Sequence, residues 1–429
     1  MGKTLLHTIK KTPINSWHIR HGANMANFGG YEMPLWYSSA KNEHSKVLTN
    51  AGAFDTSHMA VIMIEGKDAF KLLQSCFTRD FQKCSGFMPN GPSIPKRCIY
   101  GVFLDESGGV IDDAVIYKAE NGRYMCVVNA GMGEIVAQHL LHYSNYMDVS
   151  IKNFSDKVGK LDIQGPSSAK ILRRILKRPE SVYENFPYFS FKGDFYKPST
   201  TEDRVALKNG VDILLSRTGY TGEFGFELFS LPSQLIEMWE MVVKEGEEFG
   251  LIPCGLASRD SLRTGALLPL SHQDIGSWPF IRNPWEFVLP YNSDSTGFTK
   301  EFVGSRALEG GRDADYTYAF VGNDPRKVTV SEKTEVLDTD NTVIGKVLTC
   351  VSDMGIGTVK GKIYSIASPD KPEGFKPEGL SCGFIKVQYE LEIGHILKLR
   401  DTRRSITVRV VKNIRPNLTA RKHIEQMLL

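Results

Sequence analysis

The sequence predicts an α+β fold in which one α+β unit occurs twice and an all-β part follows. Three observations carry this. A strand–glycine–helix segment recurs about a hundred residues after its first occurrence, a β meander lies between the copies, and beyond about residue 310 helical patterns give way to short β-rich runs.

The first copy is the run Ala60-Val-Ile-Met-Ile-Glu-Gly66, a strand, followed by an amphipathic helix over 67–76 with apolar residues at 69, 70, 72 and 73. The second is Lys160-Leu-Asp-Ile-Gln-Gly165 followed by a helix over 166–176, with the same spacing of seven from Gly66 to Leu73 and from Gly165 to Leu172. Between them, 98–104, 110–118 and 123–129 read as strands joined by Gly-bearing turns at 105–109 and 119–122. A helix is expected over 131–146, strands over 212–216 and 224–229, and helices over 233–247 and 257–268. The helix over 233–247 gathers Leu235, Ile236, Met238, Trp239, Val242 and Val243 on one stripe. From Tyr318 to Val411 six short runs (318–321, 327–330, 343–348, 381–387, 396–399 and 406–411) predict a small β-barrel or sandwich. The stretch 368–378, rich in Pro, Lys and Gly, reads as a long surface loop.

Composition narrows the class. A chain of 429 residues predicts two or three domains. Lys and Arg number 52 against 49 Asp and Glu, a balance that argues against a life on nucleic acid phosphates. No apolar run is long enough to span a membrane, and the start has no hydrophobic signal core, so a cytoplasmic enzyme is expected. Seven Cys without a C-x-x-C pair argue against a disulfide framework or zinc ribbon. The pairs His18/His21 and His139/His142 lack a third ligand at helical spacing, so no metal site is expected. Walker and G-x-G-x-x-G loops are missing.

Three places could carry chemistry. Asp112 and Asp113 interrupt an apolar strand and must point to opposite faces, Asp112 with Val110, Ala114 and Ile116, Asp113 with Ile111, Val115 and Tyr117. Burying a carboxylate is costly unless it is paired or functional, and the plainer alternative is an exposed strand end after the Gly-Gly turn. Glu223 is the polar residue in the glycine-spaced loop Gly219-Tyr-Thr-Gly222-Glu-Phe-Gly225, which otherwise reads as a hairpin connection. Arg259 and Arg263 share a helix face and suit a planar carboxylate, or an internal bridge to Asp260 or Asp274.

In order along the chain, these segments resemble the glycine-cleavage T-protein family, the tetrahydrofolate-dependent aminomethyltransferases. The similar stretches are His21-Gly-Ala-Asn-Met-Ala-Asn-Phe-Gly-Gly-Tyr-Glu-Met-Pro-Leu-Trp-Tyr37, Ala51-Gly-Ala-Phe-Asp-Thr-Ser-His-Met59, Gly108-Gly-Val-Ile-Asp-Asp113 and Val127-Val-Asn-Ala130. Thr218-Gly-Tyr-Thr-Gly-Glu-Phe-Gly-Phe-Glu227 and Cys254-Gly-Leu-Ala-Ser-Arg-Asp-Ser-Leu-Arg263 complete the set. The resemblance covers about residues 15–310 and implies a three-lobed α+β molecule: a folate-binding region of two intertwined lobes over 1–310 and a C-terminal β-barrel over 311–429. It also implies that reduced folate is the cosubstrate, with Asp112 as the catalytic aspartate and Glu223 gripping the donor edge of the pterin. Arg259 would lie near the folate's carboxylates, with Met59, Tyr100 and Asn129 as pocket walls.

The helix text Leu262-Arg-Thr-Gly-Ala-Leu267, the segment 269–285 and insertions around 83–96, 188–211 and 369–378 depart from the family pattern on the donor side. The donor would be the aminomethyl-lipoyl arm of the H-protein. The alternatives are an O-, N- or S-methyl small molecule, making the chain a demethylase, or no donor at all in a non-catalytic folate-binding protein.

Overall fold

The computed structural model describes residues 9–87, 96–120, 122–197, 203–310 and 314–429. Much of the insertion around 83–96, and residues 198–202 of the one around 188–211, lie outside the described residues. No helix among the described residues is long and apolar enough to cross a membrane.

The chain is mixed α+β and includes a closed β-barrel. Its first sheet has the order Cys98–Leu104, Val110–Glu120, Arg123–Val128, Ala60–Glu65, Ser150–Asn153. The second has the order Phe191–Gly193, Leu214–Ser216, Gly225–Ser230, Gly159–Gln164, Ala51–Asp55, Leu251–Pro253. The duplication is literal. The strands Ala60–Glu65 and Gly159–Gln164 and the helices Ala69–Cys76 and Ser168–Ile175 have every boundary 99 residues apart (60 and 159, 65 and 164, 69 and 168, 76 and 175). Gly66 and Gly165 turn each strand into its helix with φ of 143° and 125°, a conformation that L side chains rarely adopt. The two halves interlock: Ala51–Asp55, which precedes the first copy, pairs antiparallel with Gly159–Gln164 of the second.

The two sheets face each other. Val61, Met63, Cys98, Tyr117, Met125 and Val127 of the first meet Leu214, Phe229 and Phe191 of the second in one buried cluster. The helices lie outside. Leu72, Leu73 and Cys76, with Val136 and Leu140 of the helix Gly133–His142, cover Ile62, Ile64 and Ile116. Ile171, Leu172 and Ile175, with Met238 and Trp239 of Leu235–Gly246, cover Leu161, Ile163 and Leu228. Strands covered on both faces read as nearly continuous apolar runs. A charged residue on an inner face therefore stands out.

The all-β part resolves into a barrel rather than a sandwich, closing in the order Tyr316–Gly322, Leu380–Val387, Val343–Asp353, Glu335–Leu337, Ile396–Arg400, Ser405–Val411. Phe320, Val336, Ile385, Leu399 and Val408 belong to its buried core. The run 327–330 is not a strand. Only Val328 is buried there, and Thr329 donates its N–H to Asp401 Oδ2 (2.7 Å) instead of joining a ladder. The hairpin Ile356–Val359/Lys362–Ser365 was not predicted, and 368–378 is irregular as expected. Two helices stop early. That predicted over 257–268 spans Leu256–Gly265, because Leu267 turns left-handed (φ 60°) ahead of Pro269. That predicted over 131–146 spans Gly133–His142.

Candidate active site

The inter-sheet space opens into a cavity of about 1400 Å³, reaching the helix Leu256–Gly265 and the barrel strand Val343–Asp353. Met59, Tyr100, Asn129 and Arg259, all expected at a folate pocket, line it. Asp112 and Glu223, also expected there, do not. Their neighbours Asp113 and Glu227 do.

Strand alternation explains the first exchange. On Val110–Glu120, Asp113, Val115 and Tyr117 point inward, where Tyr117 joins the inter-sheet cluster. Ala114 and Ile116 belong to the outer core beneath the helices, and Asp112 is fully buried on their side of the strand. Neither carboxylate sits at an exposed strand end. Both are held by one residue: the Asn129 amide donates to Asp112 Oδ1 (2.8 Å) and Asp113 Oδ1 (2.6 Å), and the Asn129 backbone N–H donates to Asp112 Oδ2 (2.9 Å). The Tyr100 hydroxyl donates to Asp113 Oδ2 (2.8 Å). Burial raises both carboxyls well above the ordinary carboxylate range, and for Asp113 the charge of Asp112 adds to it. The pair therefore titrates as a unit.

The second exchange arises where the glycine loop meets its strand. Glu223 is buried against the C-terminal segment: Thr419 donates to it at 2.6 Å and the Arg415 guanidinium lies 3.3 Å away. Arg415 in turn binds Asp353 (2.6 Å) and the carbonyls of Thr221 and Leu262. Glu223 is thus part of the joint between loop, helix and barrel. Four residues on, Glu227 shares the inner face with Phe229 and accepts from Lys160 Nζ (2.7 Å), Thr218 (2.5 Å) and Tyr117 (3.3 Å).

Lys160 leads to a network that sequence reasoning passed over. Its Nζ also donates to Asp162 Oδ1 (2.8 Å) and Thr56 (3.1 Å), and Asp162 Oδ2 takes Arg259 Nη1 at 2.7 Å. Arg259 lies over the Tyr220 ring, 5.1 Å from its centroid. Burial alone would raise Asp162, but the Lys160 and Arg259 cations overcome it and hold the carboxyl below its usual range. Two cations and two anions balance in this wall, which is how buried charges survive. The signal was available: Lys160 and Asp162 are two charges, with Gln164, on one face of a strand whose other face is apolar. Arg263 takes the internal bridge, to Asp274 and to Asp260 (2.8 Å). His18 Nε2 sits 3.0 Å from Asp55 Oδ2, and His21 stacks on Trp17.

Comparisons with known proteins identify the family and the fold. The family model described as "GCVT N-terminal domain" matches residues 14–278. The chain is 37% identical to an aminomethyltransferase of Geobacillus sp. (strain WCH70) over 304 residues, 70% of this chain and 77% of that protein. It is 35% identical to one of Caldanaerobacter subterraneus subsp. tengcongensis (strain DSM 15242 / JCM 11007 / NBRC 100824 / MB4) over 307 residues, 71% of this chain and 74% of that protein. The crystal structure of the glycine cleavage system aminomethyltransferase T from Bartonella henselae shares the fold, with a TM-score of 0.72 at 21% identity, covering 94% of this chain and 97% of that one. The chain therefore belongs to the glycine-cleavage T-protein family of tetrahydrofolate-dependent aminomethyltransferases.

Proposed function

We propose that the inter-sheet cavity holds the reduced folate between Asp113 on one sheet and Glu227 on the other, and that the one-carbon donor is the aminomethyl-lipoyl arm of an H-protein in the cytoplasm. One observation carries this reading: two carboxylates, half-buried Asp113 and buried Glu227, come from the inner faces of two different sheets and border a single cavity in a chain of this family. A flat polar ring needs a few convergent polar groups in an otherwise apolar site. Here Asp113, Asn129 and Glu227 supply the polar groups, and Tyr100, Tyr188, Phe189 and Tyr220 the walls. The volume exceeds the roughly 300–1,000 Å³ common for small-ligand pockets, which leaves room for a donor arm beside the folate.

When bound, the folate would supply the two nitrogens, the ring nitrogen among them, that take up the one-carbon unit, while the carbon's bonds to nitrogen and sulfur break and ammonia and the dihydrolipoyl thiol leave. The protein's part is positioning and electrostatics. Tyr100 and Asn129 fix the Asp113 carboxylate so that its charge faces the reacting nitrogen. Glu227 has used one lone pair of Oε1 on Lys160, which leaves that oxygen free to accept from a ring amine. Arg259, held by Asp162, presents its remaining N–H groups to the folate's acidic tail.

The test mixes the chain with tetrahydrofolate and H-protein carrying the aminomethyl-lipoyl group, and follows methylene-tetrahydrofolate and ammonia. One equivalent of each per donor supports the reading. Methyl transfer from a small methylated compound without turnover of the H-protein would replace the donor and leave the folate site standing.

A further inference from the structure

Asp112, displaced from the cavity, still makes contacts that point to a use. Behind it lies the loop 271–280, which hydrogen-bonds to the Gly-Gly turn: Val110 donates to the Gly276 carbonyl (2.7 Å) and Phe280 to that of Gly108 (3.0 Å). His272 in this loop is left-handed (φ 63°), a conformation uncommon outside glycine, and its Nε2 stands 3.7 Å from Asp112 Oδ1. Its side chain is 48% exposed while that of Asp112 is fully buried. A chain of contacts therefore runs from solvent through His272, Asp112 and the shared Asn129 amide to Asp113 at the cavity.

We propose that His272, acting through Asp112, is a positioning residue that sets the charge on Asp113 from outside the cavity. The proposal rests on the reading of Asp113 as the carboxylate facing the folate. Two carboxylates that share one amide cannot both stay ionised cheaply. A cation beside the outer one favours the doubly charged pair, and its loss favours protonation. The other titratable groups facing the pair are Tyr100 and Tyr220 on the Asp113 side and Cys126 on the Asp112 side. Burial raises all three, so they stay neutral, and among these groups the imidazole of His272, 3.7 Å from Asp112, is the one that can bear a positive charge.

The experiment follows the carboxyl ¹³C signals of Asp112 and Asp113 in the ligand-free chain against pH, and the acid limb of turnover alongside. His272→Gln should raise the midpoint of the pair by at least about half a unit to one unit, the effect that one charge at this distance would have even in bulk water. The acid limb of kcat should move with it at unchanged KM. His272→Lys should restore the wild-type midpoint, a rescue that a purely structural role would not give. In an Asp112→Asn background, His272→Gln should shift nothing further. An unmoved midpoint in His272→Gln, or an equal shift without Asp112, overturns the proposal. If Asp113→Asn turns over with an unmoved acid limb, the site reading itself falls, and with it the proposal's link to turnover.

Discussion

Replacing Glu227 and Glu223 separately by Gln tests which glutamate meets the ligand. Glu227 faces the cavity with one acceptor position of Oε1 uncommitted, whereas Glu223 is sealed against Arg415 and Thr419. A hydrogen bond to a charged group is worth about 1.5–3 kcal/mol, so Glu227→Gln should weaken tetrahydrofolate binding roughly 10- to 150-fold. Glu223→Gln touches no cavity atom and should leave Kd within about threefold, a difference of less than 1 kcal/mol. Its effect falls on stability. Arg415 keeps Asp353 but loses a second anion in a buried setting, a loss of roughly 1–3 kcal/mol. Isothermal titration with tetrahydrofolate and urea unfolding of both variants separate the two outcomes. Weakened binding in Glu223→Gln alongside unchanged binding in Glu227→Gln would refute the assignment.

Three further outcomes follow from the same geometry. Asp113→Asn should lower kcat roughly 10²- to 10³-fold, the scale for losing one preorganised charged or polar group, while folate affinity changes less than tenfold; steady-state kinetics that reverse this order count against it. Gly66→Ala places a Cβ 2.2 Å from the Asp148 carbonyl oxygen at φ 143°, so it should lose clearly more than the roughly 1–3 kcal/mol of a strained residue; Gly361→Ala, at φ 80° with open space around it, should lose no more than that strain in the same unfolding assay. Asp353 is raised by burial but brought far below its usual range by His44 (2.8 Å) and then Arg415. Its contribution is therefore complete above the unfolded-state value of about 3.9 and is lost as pH falls towards the folded value, so the gap of roughly 3–5 kcal/mol between wild type and Asp353→Asn should hold at neutral pH and shrink below pH ~4. A gap unchanged down to pH ~3 would exclude that linkage.

The duplicated unit was legible because its signals are local: a strand run, a glycine forced to positive φ and a helix stripe at fixed spacing. The passage of Ala51–Asp55 into the other copy's sheet was not, since that pairing joins residues more than a hundred apart. The same division runs through the site. Alternation told that Asp112 and Asp113 part company, but both faces of their strand are apolar, so only the packing of the second sheet decides which face looks into the cavity. The resemblance pointed to the glycine loop, whose Gly219 and Tyr220 line the cavity, yet the choice proposed between Glu223 and Glu227 turns on the C-terminal segment, which closes over the first of them some two hundred residues further along. Lys160 and Asp162 were visible as charges on one strand face and were overlooked beside the more conspicuous Asp pair.

The most direct measurement is a crystal structure of this chain with bound tetrahydrofolate. The account predicts the pterin between the two sheets, its one-carbon-accepting nitrogen beside Asp113, a ring amine on Glu227 and the acidic tail running towards Arg259. A pterin seated outside the inter-sheet cavity, or held by Asp112 and Glu223 after a rearrangement of the loop and the C-terminal segment, would contradict it.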